Sequence, residues 1–357
     1  MKRWVLLALL AVGCRGEPAP IHTVTSPSQV TTAVAVPDAA PLDVGAEAEP
    51  PPTLPAVSEI ARLDNPPESL VVTAKGDVWV TSTGDPKLFV RRVRAGSTAV
   101  EEVASEARGP GALRVEGEDV GWYSDQAHVI GWSRGGDKPR RVQIPSARAI
   151  ADVMVHDGAL YHLTHLPAKT DAWGKDGTLT RVALDTGASS VLASAIPGPT
   201  ALGADATSLY WWSRGDGKLH ALAGGKESVV WSAAPIVTGP GLEGWQPPND
   251  AMRPSRFLFI DADSFWFADA FGAQFELLRK TGERRPETQP AQHVDAKWIY
   301  SVVDKTKIVR RPRGGGASQT LVQQPKPIEH VALAGGRLYW VSQTGSWTHT
   351  VRAIVVP

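Results

Sequence analysis

Leu338-Tyr339-Trp340-Val341-Ser342 has close relatives at six places upstream, and a chain that repeats one short aromatic strand has few ways to fold. The relatives are Val78-Trp79-Val80-Thr81-Ser82, Val120-Gly121-Trp122-Tyr123-Ser124 and Leu160-Tyr161-His162-Leu163-Thr164. Further on come Leu209-Tyr210-Trp211-Trp212-Ser213, Phe265-Trp266-Phe267-Ala268-Asp269 and Ile299-Tyr300-Ser301-Val302-Val303. Each is an aromatic and β-branched run bounded by Gly, Asp or Ser, a composition that suits a half-buried strand. Anchored on Trp79, Trp122, Tyr161, Tyr210, Trp266, Tyr300 and Tyr339, the copies lie 34 to 56 residues apart and about 43 on average. That interval fits one four-stranded unit per copy. A solenoid of helices is excluded, because almost no segment after position 57 holds a 3.6-residue apolar period.

The flanks complete the unit. An apolar run precedes the aromatic strand, as in Pro67 to Val72, Pro110 to Val115, Ile150 to Val155, Pro199 to Gly203, Phe257 to Ile260 and Pro327 to Leu333. A second run follows it, such as Leu88-Phe89-Val90-Arg91 or Leu219-His220-Ala221-Leu222, and often ends in Gly-Gly or Thr-Gly. Glycine there supplies the positive φ of tight hairpins. A fourth run comes next, as in Val191-Leu192-Ala193 or Thr320-Leu321-Val322. Seven such units predict an all-β, seven-bladed β-propeller of four-stranded antiparallel blades over residues 57–357. The seventh unit stops one strand short at Val351 to Val356, while Val57 to Leu63 is a strand to spare. An N-terminal strand that completes the last blade would therefore close the ring.

The Leu-Tyr-Trp-Val-Ser copies resemble the YWTD propeller repeat, and Gly76-Asp77-Val78-Trp79-Val80-Thr81 resembles the repeat of NHL and streptogramin-lyase-like propellers. The resemblance covers roughly residues 57–357 and implies architecture rather than activity, since such blades host many chemistries. The acidic position of the YWTD motif is mostly Ser here, so that family's network between blades is not implied. His293, Glu329 and His330 invite comparison with the lyase-like propellers, where a His and acidic residues work at the central channel. No motif matches that arrangement residue by residue.

Ahead of the propeller, Lys2 and Arg3 precede an apolar stretch from Trp4 to Val12, and Ala11-Val12-Gly13 lead into the chain's only cysteine, Cys14. The stretch is too short to span a bilayer. The layout resembles a bacterial lipobox, which implies a signal peptide over residues 1–13, cleavage before Cys14, and acylation of its thiol and new amino group. Attached acyl chains such as palmitate would hold the protein to a membrane. Arg15 after the cysteine points to the outer membrane, with the propeller in the periplasm or at the surface of the cell envelope. Arg15 to Ala56 has nine prolines and no Phe, Trp or Tyr, so it cannot bury enough apolar surface to order itself. Residues 14–56 thus read as the lipidated Cys14 and a tether.

Lys plus Arg and Asp plus Glu are balanced at 37 each, which gives no electrostatic case for nucleic acid. Two connections are long: His165 to Gly177, carrying Asp171 and Trp173, and Pro235 to Ser255, carrying Trp245, Asn249 and Asp250. Long loops on a rigid scaffold are where binding residues concentrate, so these five are the candidate binding residues for a protein or cell-wall partner. Trp245 packed beneath its own loop is the competing reading.

His162 and His165 have an HxxH look, but three positions along a strand point to opposite faces, so a structural pair is the expectation rather than a metal site. Asp157, Asp205, Asp261 and Asp295 stand where aspartate caps turns. Most of the thirteen tryptophans lie within the repeats, where packing between blades explains them better than a quinone cofactor. No cofactor, no catalytic residue and a monomer are expected. Two readings remain: a membrane-anchored binding scaffold, favoured by the absence of any catalytic signature, and a propeller lyase or hydrolase using His and carboxylates at the channel mouth.

Overall fold

The computed structural model describes residues 54–84, 87–107, 112–167, 174–233, 254–269 and 273–356. Among them are 28 strands and no helix, so no helix is long and apolar enough to cross a membrane.

Strand β1 is Ser58–Leu63, and six blades of four follow it. Blade one is β2 (Pro67–Val72), β3 (Val78–Gly84), β4 (Lys87–Val93) and β5 (Val100–Ala107). Blade two is β6 (Leu113–Glu116), β7 (Asp119–Ser124), β8 (Val129–Ser133) and β9 (Arg140–Gln143). Blade three is β10 (Ala149–His156), β11 (Ala159–His165), β12 (Gly177–Ala183) and β13 (Ser189–Ile196). Blade four is β14 (Pro199–Ala204), β15 (Leu209–Ser213), β16 (Lys218–Ala223) and β17 (Lys226–Ser232). Blade five is β18 (Pro254–Ile260), β19 (Ser264–Asp269), β20 (Gln274–Leu278) and β21 (Arg284–Glu287). Blade six is β22 (Ala291–Val294), β23 (Trp298–Val303), β24 (Lys307–Pro312) and β25 (Gln319–Gln323). Blade seven is β26 (Ile328–Ala334), β27 (Arg337–Gln343) and β28 (His349–Val355), with β1 as its outer strand.

The ring therefore closes with the N-terminal strand, as the sequence predicts. Strand β1 pairs antiparallel with β28 from Ser58 opposite Ala353 to Leu63 opposite His349. The strand is not regular throughout: its register slips between Glu59 and Ala61, so Ile60 is a bulge residue. Beyond the bulge Ala61 and Leu63 are buried, at 4% and 1% exposure.

The apolar core lies in the seams between blades. Each of the seven seams holds its own cluster, such as Trp79, Leu113 and Trp122 between blades one and two. Trp79, Trp122, Trp211, Trp212 and Trp340 are fully buried there. An aromatic side chain of this kind buries about 150–250 Å², worth roughly 4–6 kcal/mol as an upper estimate. These five tryptophans are core, as expected.

Hairpin chemistry follows the sequence as well. Asp157 and Gly158 join β10 to β11 with φ of 45° and 64°, and Gly224 and Gly225 join β16 to β17 with φ of 54° and 79°. Positive φ at both central residues is the type I′ turn that matches the twist of the strands.

The first strand of each blade packs against the first strands of its neighbours and lines the central channel. These strands begin at one rim, here the upper rim, and end at the lower one. The connections from second to third strand, and from one blade to the next, lie on the upper rim.

Candidate functional site

Six of the seven innermost strands carry a register shift near their upper end; that of β22, between Ala291 and His293, lies deeper than the other five. Those five fall between Pro67 and Ser69, Ile150 and Asp152, Pro199 and Ala201, Pro254 and Arg256, and Ile328 and His330. The extra residues are Glu68, Ala151, Thr200, Ser255 and Glu329. Bulges of this kind re-aim side chains and are common beside functional sites. The residues just past them, Ser69, Asp152, Ala201, Arg256 and His330, occupy one layer below the upper mouth of the channel.

Three members of this layer link their blade to the next. The hydroxyl of Ser69 accepts the backbone N–H of Leu113 at 3.3 Å. Oδ2 of Asp152 accepts the N–H of Leu202 at 3.0 Å. His330 Nε2 lies 3.2 Å from the carbonyl of Pro67, a contact in which that nitrogen is the donor.

Asp152 holds three blades at once. Its Oδ1 lies 2.8 Å from the Arg114 guanidinium on β6 and accepts the N–H of Val153 at 2.9 Å. Burial pushes the Asp152 carboxyl up, against the opposing pull of Arg114 and the two backbone N–H groups. Burial pushes the Arg256 guanidinium down, and Arg114 adds to this while Asp152 opposes it. Burial also lowers His330, with the charges of Arg256 and His349 in the same direction. Glu329 Oε2 lies 3.4 Å from Nε2 of the buried His349.

Among the described residues the one hydrogen bond of His330 goes to the carbonyl of Pro67. His293 is not part of this layer: it pairs with Tyr300, whereas His330 pairs with Val341. That places His293 two residues deeper, roughly 7 Å along the strand. Burial lowers it too.

The HxxH pair does not converge. His162 is buried at 6% exposure, and its Nδ1 has no partner among the described residues. The ring of His165 lies 2.8 Å from the carbonyl of Leu166. No group of three or more metal-ligating side chains occurs among the described residues. Three of the four turn aspartates are caps, as anticipated. Asp205 and Asp261 each accept two backbone N–H groups, and Asp295 Oδ1 accepts those of Lys297 and Trp298, both at 2.7 Å. Asp157 instead takes the left-handed position of its hairpin.

At the lower rim an arginine of the following blade reaches two such caps. Arg279 meets Asp205 at 2.8 Å, and Arg313 pairs with Asp261. Acid–base ties between blades do exist, built on residues other than the YWTD acidic position.

The upper rim also carries an aromatic anchor that sequence reasoning passed over. Trp347 is 69% exposed, on the turn between β27 and β28. The turn is fixed by the N–H groups of Thr344 and Gly345, which donate to the Thr348 carbonyl at 2.8 and 3.0 Å. The hydroxyl of Thr344 donates to the same carbonyl at 3.1 Å. Leu166, at 43% exposure, stands on this rim as well. Cys14, Asp171, Trp173, Trp245, Asn249 and Asp250 lie outside the described residues.

The chain matches no protein family and no curated protein sequence. Among solved structures it is similar to a virginiamycin B lyase from Staphylococcus aureus, with a TM-score of 0.54 and 14% identity, covering 84% of this chain and 99% of that one. It is similar to a streptogramin B lyase with a TM-score of 0.54 and 13% identity, covering 84% of this chain and 97% of the other. It is also similar to YCF48 from Cyanidioschyzon merolae, with a TM-score of 0.51 and 11% identity, covering 84% and 98%. At these identities the likeness establishes the propeller fold.

Proposed function

We propose that the chain is a lipid-anchored protein of the bacterial envelope whose propeller is a scaffold that binds a protein partner on its upper rim. Cys14 is the acylated residue, residues 14–56 are the tether, and the propeller acts as a monomer. The observation that carries the binding reading is Trp347, a large apolar side chain held in water by a hydrogen-bonded turn. Exposed tryptophans on rigid supports are frequent interface anchors, because little conformational freedom is lost on docking.

The flanking strands add support. β11 ends and β12 begins on this rim, and so do β17 and β18 respectively. The connections that carry Asp171 and Trp173, and Trp245, Asn249 and Asp250, belong to the same surface in this reading.

A photo-crosslinking amino acid at Trp347 and another at Ala206, exposed on the lower rim, would separate the two faces in envelope preparations. The expected result is a discrete adduct from position 347 alone. Equal adducts from both positions would reject the upper rim as the binding face. Cys14→Ser should move the protein from the membrane to the soluble fraction.

A lyase is the second reading, favoured by Glu329 and His330 standing together at the channel mouth. It requires that His330→Ala abolish turnover of virginiamycin B, the compound for which the similar lyase is named, while leaving folding intact.

A further inference from the structure

Arg256 occupies the layer position from which Ser69, Asp152 and His330 link their blades to the next. A guanidinium has only donors, so Arg256 cannot accept a backbone N–H as Ser69 and Asp152 do. The chain fills the gap from another strand. Gln274 on β20 accepts the N–H of Ala291 at 2.6 Å and donates to the Ala291 carbonyl at 2.8 Å. The seam between blades five and six is satisfied without Arg256. Its side chain is open to the channel and makes no hydrogen bond or ion pair among the described residues.

An arginine kept at such a position has a cost. The charges that reach it are those of Arg114, which repels it, and Asp152, which is already engaged by Arg114. The three groups together carry one net positive charge. The Arg256 side chain is exposed to the channel, and a cation there without a partner can take a counter-charge from solution. The neighbouring imidazole of His330 lies close enough to feel Arg256, and its lowered basicity keeps it neutral near pH 7.

We propose that Arg256 is the anchor of a carboxylate-binding site at the upper mouth of the channel. The planar guanidinium presents paired N–H donors that match a carboxylate in a bidentate geometry. Glu68 and Glu329, at the bulges of blades one and seven, repel a doubly charged phosphate more than a singly charged carboxylate. The carboxylate can come from a peptide C-terminus or from a free acid, and the site stands whether or not Trp347 docks a partner.

The test is a titration followed by the Arg256 Nε–H NMR signal and by calorimetry. The probes are sodium acetate, N-acetyl-dialanine, its C-terminal amide, and inorganic phosphate. The acid peptide should bind and shift the Arg256 signal, while the amide does not. Acetate binding as tightly as the peptide assigns the site to free acids, and peptide preference assigns it to chain ends. Arg256→Gln should weaken the acid by about ten- to a hundredfold, the range of hydrogen bonds to a charged group. Arg256→Lys should recover part of the loss, because it restores charge without the fork. Both variants should melt no lower than the parent, since Arg256 makes no structural hydrogen bond. The site is refuted if no probe shifts the Arg256 signal, if the peptide amide or phosphate binds as well as the acid, or if Arg256→Gln leaves affinity unchanged. Binding by Arg256→Gln that matches the parent, with shifts elsewhere, would mean an adventitious additive only.

Discussion

Gln274 engages both backbone polar groups of Ala291, receiving its N–H at 2.6 Å and giving an amide hydrogen to its carbonyl at 2.8 Å. Both residues are buried, at 8% and 1% exposure, so neither group has water to fall back on. Removing the amide with Gln274→Ala leaves a buried N–H and a buried C=O unsatisfied, at about 1–3 kcal/mol each. The expected loss is about 2–5 kcal/mol in urea unfolding. Gln274→Glu should recover the N–H contact and lose the other, and so fall between. A change below about 0.5 kcal/mol for Gln274→Ala would show that this seam does not depend on it.

Arg114 and Asp152 make the corresponding tie on the other side of the channel, with an ion pair at 2.8 Å and a carboxylate 4% exposed. Asp152→Ala strands the guanidinium and the N–H of Leu202, and about 3–5 kcal/mol should be lost. Arg114→Met leaves Asp152 buried with backbone donors alone, and burial then favours its protonated form. The double variant Arg114→Met/Asp152→Ala should be less destabilised than the sum of the single changes. Simple additivity in that cycle would mean that the two charges do not interact.

The blades were legible because their demands are local. A strand buried on both faces needs aromatic and β-branched residues, and a two-residue hairpin needs positive φ, so both leave marks in composition. Even so, one mark misleads. Trp122 looks like the counterpart of Trp79, but Trp79 pairs with Val71 and Trp122 with Leu113. By register the counterpart of Trp79 is Gly121, opposite Arg114, and the indole of Trp122 lies over Gly131, where any Cβ would collide with it. The channel site was far less legible. Asp152 and Arg256 are single charges in otherwise apolar runs on different blades, and only the register sets them in one layer. Their one signal is that interruption. Trp347 was hidden among tryptophans that are core, and it differs only in standing between Thr344 and Thr348 rather than inside a strand.

His162 predicts how the fold responds to acid. Burial, reinforced by Arg148, lowers its pKa from 6.5 to about 4, so the folded protein holds it neutral where the unfolded chain protonates. Its contribution is fully present above pH 6.5, falls away as the pH drops toward 4, and is flat below that. A shift of this size corresponds to on the order of 3 kcal/mol. His293 and His330 are lowered as well and steepen the same slope. His162→Leu removes the unpaired Nδ1 and should flatten stability against pH across that window, with no loss at pH 7. An unchanged slope in the variant would assign the acid sensitivity to other groups.

Closure of the ring makes the most demanding prediction, because it concerns one strand at the start of the propeller. β1 is bound to the fold through β28, with register partners from Ser58 and Ala353 to Leu63 and His349. Its buried residues Ala61 and Leu63 join a cluster with Val351 and Ala353 and with Leu70 and Val72 of blade one. The strand therefore stabilises both its own blade and the seam next to it. Leu63→Ala should cost about 2–5 kcal/mol, the usual range for a buried leucine. Removing the strand also exposes the edge of β28, and an unpaired edge invites association between molecules. Deleting residues 15–50 should leave the melting temperature unchanged, since that segment precedes β1. Deleting residues 15–64 should lower the melting temperature sharply and produce aggregates on size-exclusion chromatography. A peptide of residues 54–64 supplied in trans should restore part of the lost stability by pairing with the free edge. Identical melting of the two truncated proteins, both monomeric, would show that the pairing of β1 with β28 is not what holds the circle shut.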